Sequence, residues 1–356
     1  MFTGCTNRAL GHASEVKGKG IEAWSIDSET GAARSLGLVT GIDNPSYVKV
    51  SPDGTLLGAV SEVDGWNEGT AQLYTIDQST GALTYLSKQP TRGSITCHFA
   101  FSPDGRFAAA ANYSTLPAGT PPDRGFAVYP VNKDGLGPVS GEAVHEGRGP
   151  TGRQERSHAH CSVWSPDGRH LFVADLGLDG VMTYGFDNGA VTFKRKAQTP
   201  SGSGPRHLVF HPDGRFFYAV NELSSTVSSF SYDAADGVLT LLHTESTLPE
   251  GGFAGNSGSA LKITPDGRFL YAGNRGHNSV ARFAVGEDSV ARLIGTTSTE
   301  GDWPRDFDID RSGKVLAVGN QNSHDIRLFR IGADGGLTRF GDPIPSGGVT
   351  AVAFAN

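Results

Sequence analysis

The sequence predicts an all-β fold: a seven-bladed β-propeller with four-stranded antiparallel blades, formed as a single domain over residues 1–356. Three observations predict it. A hairpin with a Pro-Asp-Gly turn recurs six times, a second hairpin recurs seven times, and the two ends of the chain carry the strands that the sixfold hairpin lacks. Self-similarity at a long, regular period is the signature of a repeat architecture.

The sixfold unit is an alternating apolar run, a tight turn and a second apolar run. The turn reads Pro-Asp-Gly in five copies and Arg311-Ser312-Gly313 in the sixth. Pro presets φ, Asp bonds its own backbone and Gly takes a positive φ, so each copy predicts a β-hairpin. The turn glycines lie 46 to 63 residues apart, a period typical of propeller blades. The six copies span residues 46–62, 97–113, 160–176, 206–222, 259–275 and 305–321.

The sevenfold unit is an apolar strand, a turn with Asp and Gly, and another strand, as in "IEAWSIDSETGAARSL". The sixfold hairpin, which forms the inner part of each blade, lacks a seventh copy. The termini supply it, since "GVTAVAFAN" matches its first strand and "MFTGCTN" matches its second. One C-terminal strand would then join three N-terminal strands and close the ring without an exposed edge. The alternative is an open solenoid, which would leave both end strands unpaired.

Composition excludes several classes of protein. A net charge of −7 argues against a nucleic-acid-binding surface. Cys5, Cys97 and Cys161 are odd in number and lack zinc-ligand spacing, so we expect no disulfide framework, no structural zinc and a reduced, cytoplasmic setting. No basic region followed by an apolar segment opens the chain, and no apolar run approaches ~18 residues. Neither export nor membrane spanning is therefore expected.

The shared register of the repeats identifies candidate functional residues. Positions eight before and eight after each turn glycine both lie at the open end of the hairpin. If the first strands line the central channel, these positions ring one of its mouths. The functional candidates at this mouth of the channel are His160, Arg206, Glu222, Arg275 and Arg305. Three arginines, a histidine and a carboxylate predict a pocket for an anionic substrate.

Each candidate also has a purely structural interpretation. Glu222 could pair with Arg206 or Arg275 across neighbouring blades, and His160 could be a satisfied polar residue. We expect no metal, because cationic groups would outnumber oxygen ligands, and no cofactor. The residues seven after each turn glycine are expected to satisfy backbone groups where the strand ends. They are Ser61, Asn112, Asp175, Asn221, Asn274 and Asn320.

Several long stretches resemble the seven-bladed propeller lactonase family, among them "HEGRGPTGRQERSHAH", "GSGPRHLVFHPDGRFFYAVNEL" and "GNSGSALKITPDGRFLYAGNRGHNSV". That family includes bacterial 6-phosphogluconolactonase of the propeller type and fungal 3-carboxy-cis,cis-muconate lactonizing enzyme. The resemblance covers essentially the whole chain without specifying a substrate. Two departures stand out: "FTGCTN" carries Cys5 where sugar-lactonase members tend to read "GTYT", and "TLPAGTPPDRGFAVYP" interrupts a blade.

The resemblance implies an active site. The residues proposed for the muconate enzyme carry over by motif to His160, Arg206, Glu222 and Arg275, and Arg305 fits the family's "PRxF" element. We therefore expect a lactone hydrolase of the 6-phosphogluconolactonase type, acting on a small anionic lactone. The arginines would hold the anion and stabilise the oxyanion, with either the histidine or the glutamate as base.

Neighbouring residues are further candidates for contact with the substrate. The segment "GRGPTGRQER" resembles a lid that brings Arg153 or Gln154 to the pocket edge. His158 would either contact substrate or brace that loop, and His207 follows Arg206 directly.

Two other functions remain open. The same residues would serve a cycloisomerase, in which a muconate carboxylate adds to a double bond and a general acid protonates carbon. A non-catalytic scaffold that binds other proteins is the third hypothesis, because fold does not dictate function. The sequence gives no indication of the oligomeric state.

Overall fold

The computed structural model describes residues 1–11 and 15–355. The predicted domain also includes residues 12–14 and Asn356, which lie outside the described residues. Within the described residues, the strands form seven antiparallel sheets. The innermost strands of neighbouring sheets contact one another around a closed ring, so the predicted seven-bladed propeller is confirmed.

The strands follow one another blade by blade. The chain begins with β1 (Phe2–Cys5), β2 (Ile21–Ile26) and β3 (Ala33–Val39). Blade 1 contains β4 (Val48–Val50), β5 (Leu56–Ser61), β6 (Thr70–Ile76) and β7 (Leu83–Pro90). Blade 2 contains β8 (Thr96–Phe101), β9 (Phe107–Asn112), β10 (Phe126–Asn132), β11 (Gly135–Leu136) and β12 (Gly141–Ala143). Blade 3 contains β13 (Ala159–Trp164), β14 (His170–Asp175), a 3-10 turn (Leu176–Leu178), β15 (Gly180–Asp187) and β16 (Ala190–Gln198).

The remaining blades repeat this order. Blade 4 contains β17 (Pro205–Phe210), β18 (Phe216–Asn221), β19 (Thr226–Asp233) and β20 (Val238–Ser246). Blade 5 contains β21 (Ser257–Ile263), β22 (Phe269–Arg275), β23 (Ser279–Val285) and β24 (Ala291–Ser298). Blade 6 contains β25 (Pro304–Ile309), β26 (Val315–Asn320), β27 (Asp325–Ile331) and β28 (Leu337–Pro345), and the last strand is β29 (Val349–Ala353).

Blade 7 closes the ring as predicted. Its strand order is β29-β1-β2-β3, and Phe2 pairs with Ala353 while Thr3 pairs with Val352. An open solenoid is therefore wrong. Blade 2 departs from the four-stranded pattern, because its outermost strand is split into β11 and β12, which both pair with β10.

The tight turns have the predicted chemistry. All six turn glycines, from Gly54 in blade 1 to Gly313 in blade 6, have φ between +70° and +78°. In blades 1 to 5 the turn aspartate accepts a hydrogen bond from the backbone N–H two residues later. In the sixth turn Asp310 takes that role. These turns point away from the strand ends that carry the candidate residues.

Aromatic side chains fill the space between blades. Phe172 in blade 3 packs against Phe210 and Phe217 in blade 4, and Phe230 belongs to the same buried cluster. Burying such rings is the main stabilising contribution in a fold of this kind. The innermost strands are thereby held rigidly around the channel.

Candidate active site

β-Bulges at the heads of the innermost strands present the candidate residues to the channel mouth. In blade 3, Ala159 pairs with Asp175 and Cys161 pairs with Ala174, which leaves His160 as the extra, unpaired residue. The same bulge falls on Arg206 in blade 4 and on Arg305 in blade 6. Bulges of this kind re-aim side chains and are common beside active sites.

A cavity of about 520 Å³ lies at this mouth. Four of the five predicted rim residues line it, and the fifth, Arg206, lies behind Glu222. The cavity therefore brings together residues from separate blades, as expected from the register. Its titratable lining residues are Glu62, Asp64, Tyr113, Arg153, His160, Glu222, Arg275 and Arg305.

Glu222 is the centre of an ion-pair network. Its Oε2 lies 2.9 Å from Arg206 Nε and 2.9 Å from Arg275 Nη2, and its Oε1 accepts a hydrogen bond of 3.1 Å from Arg153. Burial opposes the ionisation of Glu222, but Arg275 and Arg206 hold its pKa well below the usual value. The carboxylate therefore stays ionised and is a weak proton acceptor.

The structural pairing anticipated for Glu222 is thus present, and it organises two of the arginines. Arg206 is buried and donates to the carbonyl oxygen of Ser259 at 2.9 Å. Arg275 donates to Gly258 O at 2.6 Å, and burial lowers its pKa to about 10, so it remains charged at neutral pH. Both guanidinium groups are fixed before any ligand binds.

Arg305 is the least compensated of these buried cations. Its side chain is 8% exposed, and its ion-pair partner is Glu62 Oε1 at 3.7 Å. Among the described residues no hydrogen bond to its guanidinium is present. A desolvated guanidinium with so little compensation is an anion-binding group.

His160 is the candidate proton acceptor. His160 is 5% exposed, and neither of its ring nitrogens has a hydrogen-bond partner within residues 1–11 and 15–355. The ring lies edge-on to Tyr113 and to His207, with centroids 5.8 Å and 5.7 Å away. Burial and the nearby Arg206 lower the pKa of His160 well below its ordinary value. The imidazole is therefore neutral and retains a free lone pair at neutral pH.

The predicted lid residues have different positions. Arg153 lies at the cavity edge with a half-exposed side chain and donates to the Tyr113 hydroxyl at 2.9 Å. Gln154 is fully buried, and its amide donates to Leu176 O and Asp179 Oδ1, so it does not line the cavity. This corrects the expected position of Gln154: its side chain holds the loop rather than facing a ligand.

The two other histidine candidates lie outside the cavity lining. His158 Nδ1 lies 2.8 Å from Tyr113 O, and its ring stacks on the Tyr113 ring at 4.3 Å. It therefore braces the loop, the second of the two roles considered for it. His207 is buried deeper in the channel, beside Arg206 and against the rings of Tyr47 and His98.

Sequence reasoning missed several lining residues. The register already places Glu62 and Tyr113 on the rim, eight residues after a turn glycine, although neither is among the five functional candidates. Burial raises the pKa of Tyr113 to about 12, which keeps its hydroxyl protonated. Asp64 stands ten residues after a turn glycine and Trp303 ten before one, outside the two register positions that select the candidates, and Trp303 has a left-handed φ of +63°. Residues of unrelated types fill the same two positions in the other blades, so neither position indicates a functional side chain.

Two further findings concern metals and membranes. Within the described ranges, no group of three or more His, Cys, Asp or Glu side chains is arranged to hold a metal ion. No helix in that part of the chain is long and apolar enough to cross a bilayer.

The fold and the cavity together define a propeller with an arginine-rich ligand site. A family model for "Lactonase, 7-bladed beta-propeller" matches residues 7–354. The chain is 34% identical to 6-phosphogluconolactonase of Bacillus subtilis, over 87% of each chain. It is 33% identical to 6-phosphogluconolactonase of Formosa agariphila, over 88% of each chain.

Solved structures agree with these relatives. A periplasmic gluconolactonase of Pseudomonas aeruginosa superimposes with a TM-score of 0.88 at 32% identity, over 98% of this chain and 97% of the other. A putative 6-phosphogluconolactonase of Bacteroides uniformis gives 0.85 at 32% identity, with the same coverage. The chain belongs to the lactonase family of seven-bladed β-propellers, and the expected enzyme class, lactone hydrolase, is supported.

Proposed function

We propose that the protein hydrolyses the ring ester of a sugar lactone, with 6-phosphogluconolactone as the first candidate substrate. One observation carries the proposal: a neutral His160, with no hydrogen-bond partner for its ring among the described residues, faces the same cavity as Arg275 and Arg305. Base and cations in one enclosed site are what water attack on an ester carbonyl requires. The names of the relatives in Bacillus and Formosa support the same substrate class.

The reaction would proceed in two stages. His160 accepts a proton from water while the water oxygen bonds to the lactone carbonyl carbon, and the carbonyl electrons move onto oxygen. Arg305 and Arg275 stabilise the resulting oxyanion: Arg275 is already held in place by Glu222 and Gly258 O, and Arg305 is a buried cation with little compensation of its charge. The ring C–O bond then breaks, and the protonated His160 gives its proton to the departing alkoxide. The product is the open-chain acid.

Glu222 has a positioning role in this mechanism. A carboxylate that is held ionised by three arginines does not take a proton from water efficiently. We therefore assign the base to His160 and the alignment of Arg206, Arg275 and Arg153 to Glu222. We also assign to Arg153, which lines the exposed edge of the cavity, the role of holding the distal phosphate.

The carboxylates of Glu62 and Asp64 favour hydrolysis over cycloisomerisation. Both line the cavity with the arginines, so one part of the site is anionic. Carboxymuconate carries three carboxylates and would be repelled there, whereas the hydroxyl groups of a sugar lactone can donate hydrogen bonds to both side chains. We therefore propose a polyhydroxylated substrate with one anionic group.

A substrate panel tests the proposal. Initial rates on 6-phosphogluconolactone, gluconolactone and a plain aliphatic lactone are measured by acid release, and carboxymuconate is followed by absorbance. We expect the highest kcat/KM on the phosphorylated sugar lactone. Turnover of carboxymuconate alone would establish the cycloisomerase instead. No turnover of any compound, together with no phosphate binding by calorimetry, would leave the binding scaffold as the function.

We also propose a cytoplasmic location, on the basis of three buried cysteines without disulfide partners. The related Pseudomonas structure is titled a periplasmic enzyme, so the family is compatible with both compartments. Cell fractionation with antibody detection decides between them, and recovery in the periplasmic fraction would refute the proposal.

A further inference from the structure

One blade breaks the pattern of small polar residues at the strand ends. Seven residues after the turn glycine, four blades carry asparagine and blade 1 carries serine, but blade 3 carries Asp175. In the other blades the asparagine amide is a donor: Asn112 donates to Thr91 O and Asn274 to Thr247 O, whereas Asn221 and Asn320 donate to side-chain oxygens. A carboxylate cannot donate, so Asp175 must have a different role.

Asp175 instead accepts hydrogen bonds from both ends of one loop. The loop comprises residues 144–158, between β12 and β13. At its start, His145 Nδ1 lies 2.7 Å from Asp175 Oδ2. At its end, the Ser157 hydroxyl donates to Oδ2 at 2.6 Å and the His158 N–H donates to Oδ1 at 2.9 Å. One fully buried carboxylate thus closes the neck of the 144–158 loop.

The donors are themselves fixed in place. His145 Nε2 lies 2.7 Å from the hydroxyl of Tyr184 on β15, and both side chains are buried. The backbone of Gly177 approaches the end of the loop so closely that a Cβ would lie 1.8 Å from the carbonyl oxygen of Arg156. Asp175 therefore connects the loop to two strands of blade 3.

The 144–158 loop carries Arg153 and leads directly into the strand of His160. Arg153 reaches across the cavity mouth to the hydroxyl of Tyr113 and to Glu222. The middle of the loop is held by a second carboxylate, since Asp179 accepts from Gln154 at 2.6 Å and from the backbone of Gly204 at 2.9 Å. Only the neck depends on Asp175.

We propose that Asp175 is a positioning residue, which clamps the neck of the 144–158 loop and thereby places Arg153 over the cavity. This inference rests on the proposed function only for the identity of the substrate. Asp175 touches no lining group directly, and it acts through His145, Ser157 and His158. The charge explains the choice of residue, because two carboxylate oxygens satisfy three donors and a side-chain amide has only one acceptor oxygen.

The test compares Asp175→Asn with Val173→Ala. The first variant introduces the residue that four other blades carry, and the second weakens the packing of the same strand at a residue that pairs with Ser162 and Met182, outside the loop. We measure backbone deuterium uptake in residues 144–157 by mass spectrometry. We expect faster uptake in this segment in Asp175→Asn and unchanged uptake in Val173→Ala. If Asp175→Asn folds poorly, Ser157→Ala removes one donor and should give a smaller increase in the same segment.

Binding provides a second readout. Inorganic phosphate is titrated calorimetrically into the wild type, Asp175→Asn, Arg153→Ala and the double variant. We expect about a tenfold weaker Kd in each single variant and no further loss in the double variant, because both changes remove the same contact. With an active lactone, the expected change is a rise in KM that exceeds the fall in kcat.

Two results would overturn the inference: loop uptake in Asp175→Asn that equals the wild type, or additive losses in the double variant. A wild-type protein that hydrolyses no lactone would refute the proposed function. The role of Asp175 would still be tested, because deuterium uptake does not depend on catalysis.

Discussion

At the scale of single residues, Glu222 and His160 differ in their hydrogen bonding, and this difference indicates different roles. Both residues are buried at the cavity, yet Glu222 contacts three guanidinium groups, whereas no described residue is a hydrogen-bond partner of either ring nitrogen of His160. A carboxylate stabilised as an anion loses basicity, whereas an imidazole kept neutral by burial retains its lone pair. Substitution of each residue should therefore have a different signature.

His160→Ala should remove catalysis without unfolding the protein. We expect kcat to fall by about 10²- to 10⁴-fold, the usual contribution of a general base. The stability change should be small because no hydrogen bond is lost. Steady-state kinetics and thermal denaturation measure the two effects, and near-wild-type kcat would rule out His160 as the base.

Glu222→Gln should instead destabilise the fold. Removing one partner of a buried charge network leaves the other charges uncompensated, which costs about 3–5 kcal/mol. We expect that loss in urea unfolding, together with a raised KM from misaligned arginines. An unchanged stability with a kcat as low as that of His160→Ala would contradict this assignment and identify Glu222 as the base.

Three buried histidines should make the protein sensitive to acid. Burial lowers the pKa of His98, His160 and His207 well below the unfolded value of about 6.5. The unfolded state therefore binds more protons than the native state below pH 6.5. The stability that these groups contribute is present above that pH and is lost as the pH falls, by up to about 1.4 kcal/mol per pH unit for each histidine.

The comparison of wild type with His98→Gln isolates this effect. Urea unfolding at several pH values between 5 and 8 should show a slope below pH 6.5 that is smaller in the variant by about one histidine's contribution. Identical slopes would show that the pKa of His98 is the same in the native and unfolded states.

At the scale of secondary-structure elements, the hairpins were predictable and their bulges were not. Turn chemistry is local, so Pro-Asp-Gly and the alternating runs are sufficient to predict each inner hairpin. The bulge at His160 depends on how β13 pairs with β14, and no residue pattern in one strand encodes that pairing. Counting eight residues from each turn glycine nevertheless identified the rim residues, because the same bulge recurs in several blades. The position of Gln154 was not predictable in this way, because the path of a long loop depends on partners such as Asp179.

The turn glycines provide a test at this scale. Gly168 has φ +71°, and a Cβ there would meet nothing within 4 Å, so strain in the backbone is the only cost of adding one. Gly168→Ala should destabilise the protein by about 1–2 kcal/mol. Gly37→Ala is the matched control, because Gly37 lies exposed on β3 with open space around it and no left-handed φ.

The control should be neutral or stabilising by about 0.4–1 kcal/mol, through the reduced freedom of the unfolded chain. Urea titrations of the two variants give both values. Equal effects of the two substitutions would mean that the conformation of the turn is not what requires glycine.

At the scale of the whole molecule, the cavity exists only because the ring is closed. Its titratable lining comes from blades 1 to 6 and from the loop before blade 3, so no pair of neighbouring blades contains the site. The register predicted this convergence from the repeat alone. Loop residues such as Trp303 and Asp64 could not be predicted, since the equivalent positions in the other repeats carry residues of unrelated types.

Ring closure can be tested by removing β29. The strand is buried along its length and pairs with β1, so its deletion exposes the edge of β1 and the apolar faces beside it. We propose that the chain unfolds as one domain, and we expect residues 1–348 to lose roughly 10 °C or more in Tm, as well as lactonase activity. A synthetic peptide of residues 346–356 should restore both by adding the missing strand. A truncated chain that melts at the wild-type temperature, or a peptide with no effect on either measurement, would show that the ring does not depend on this strand.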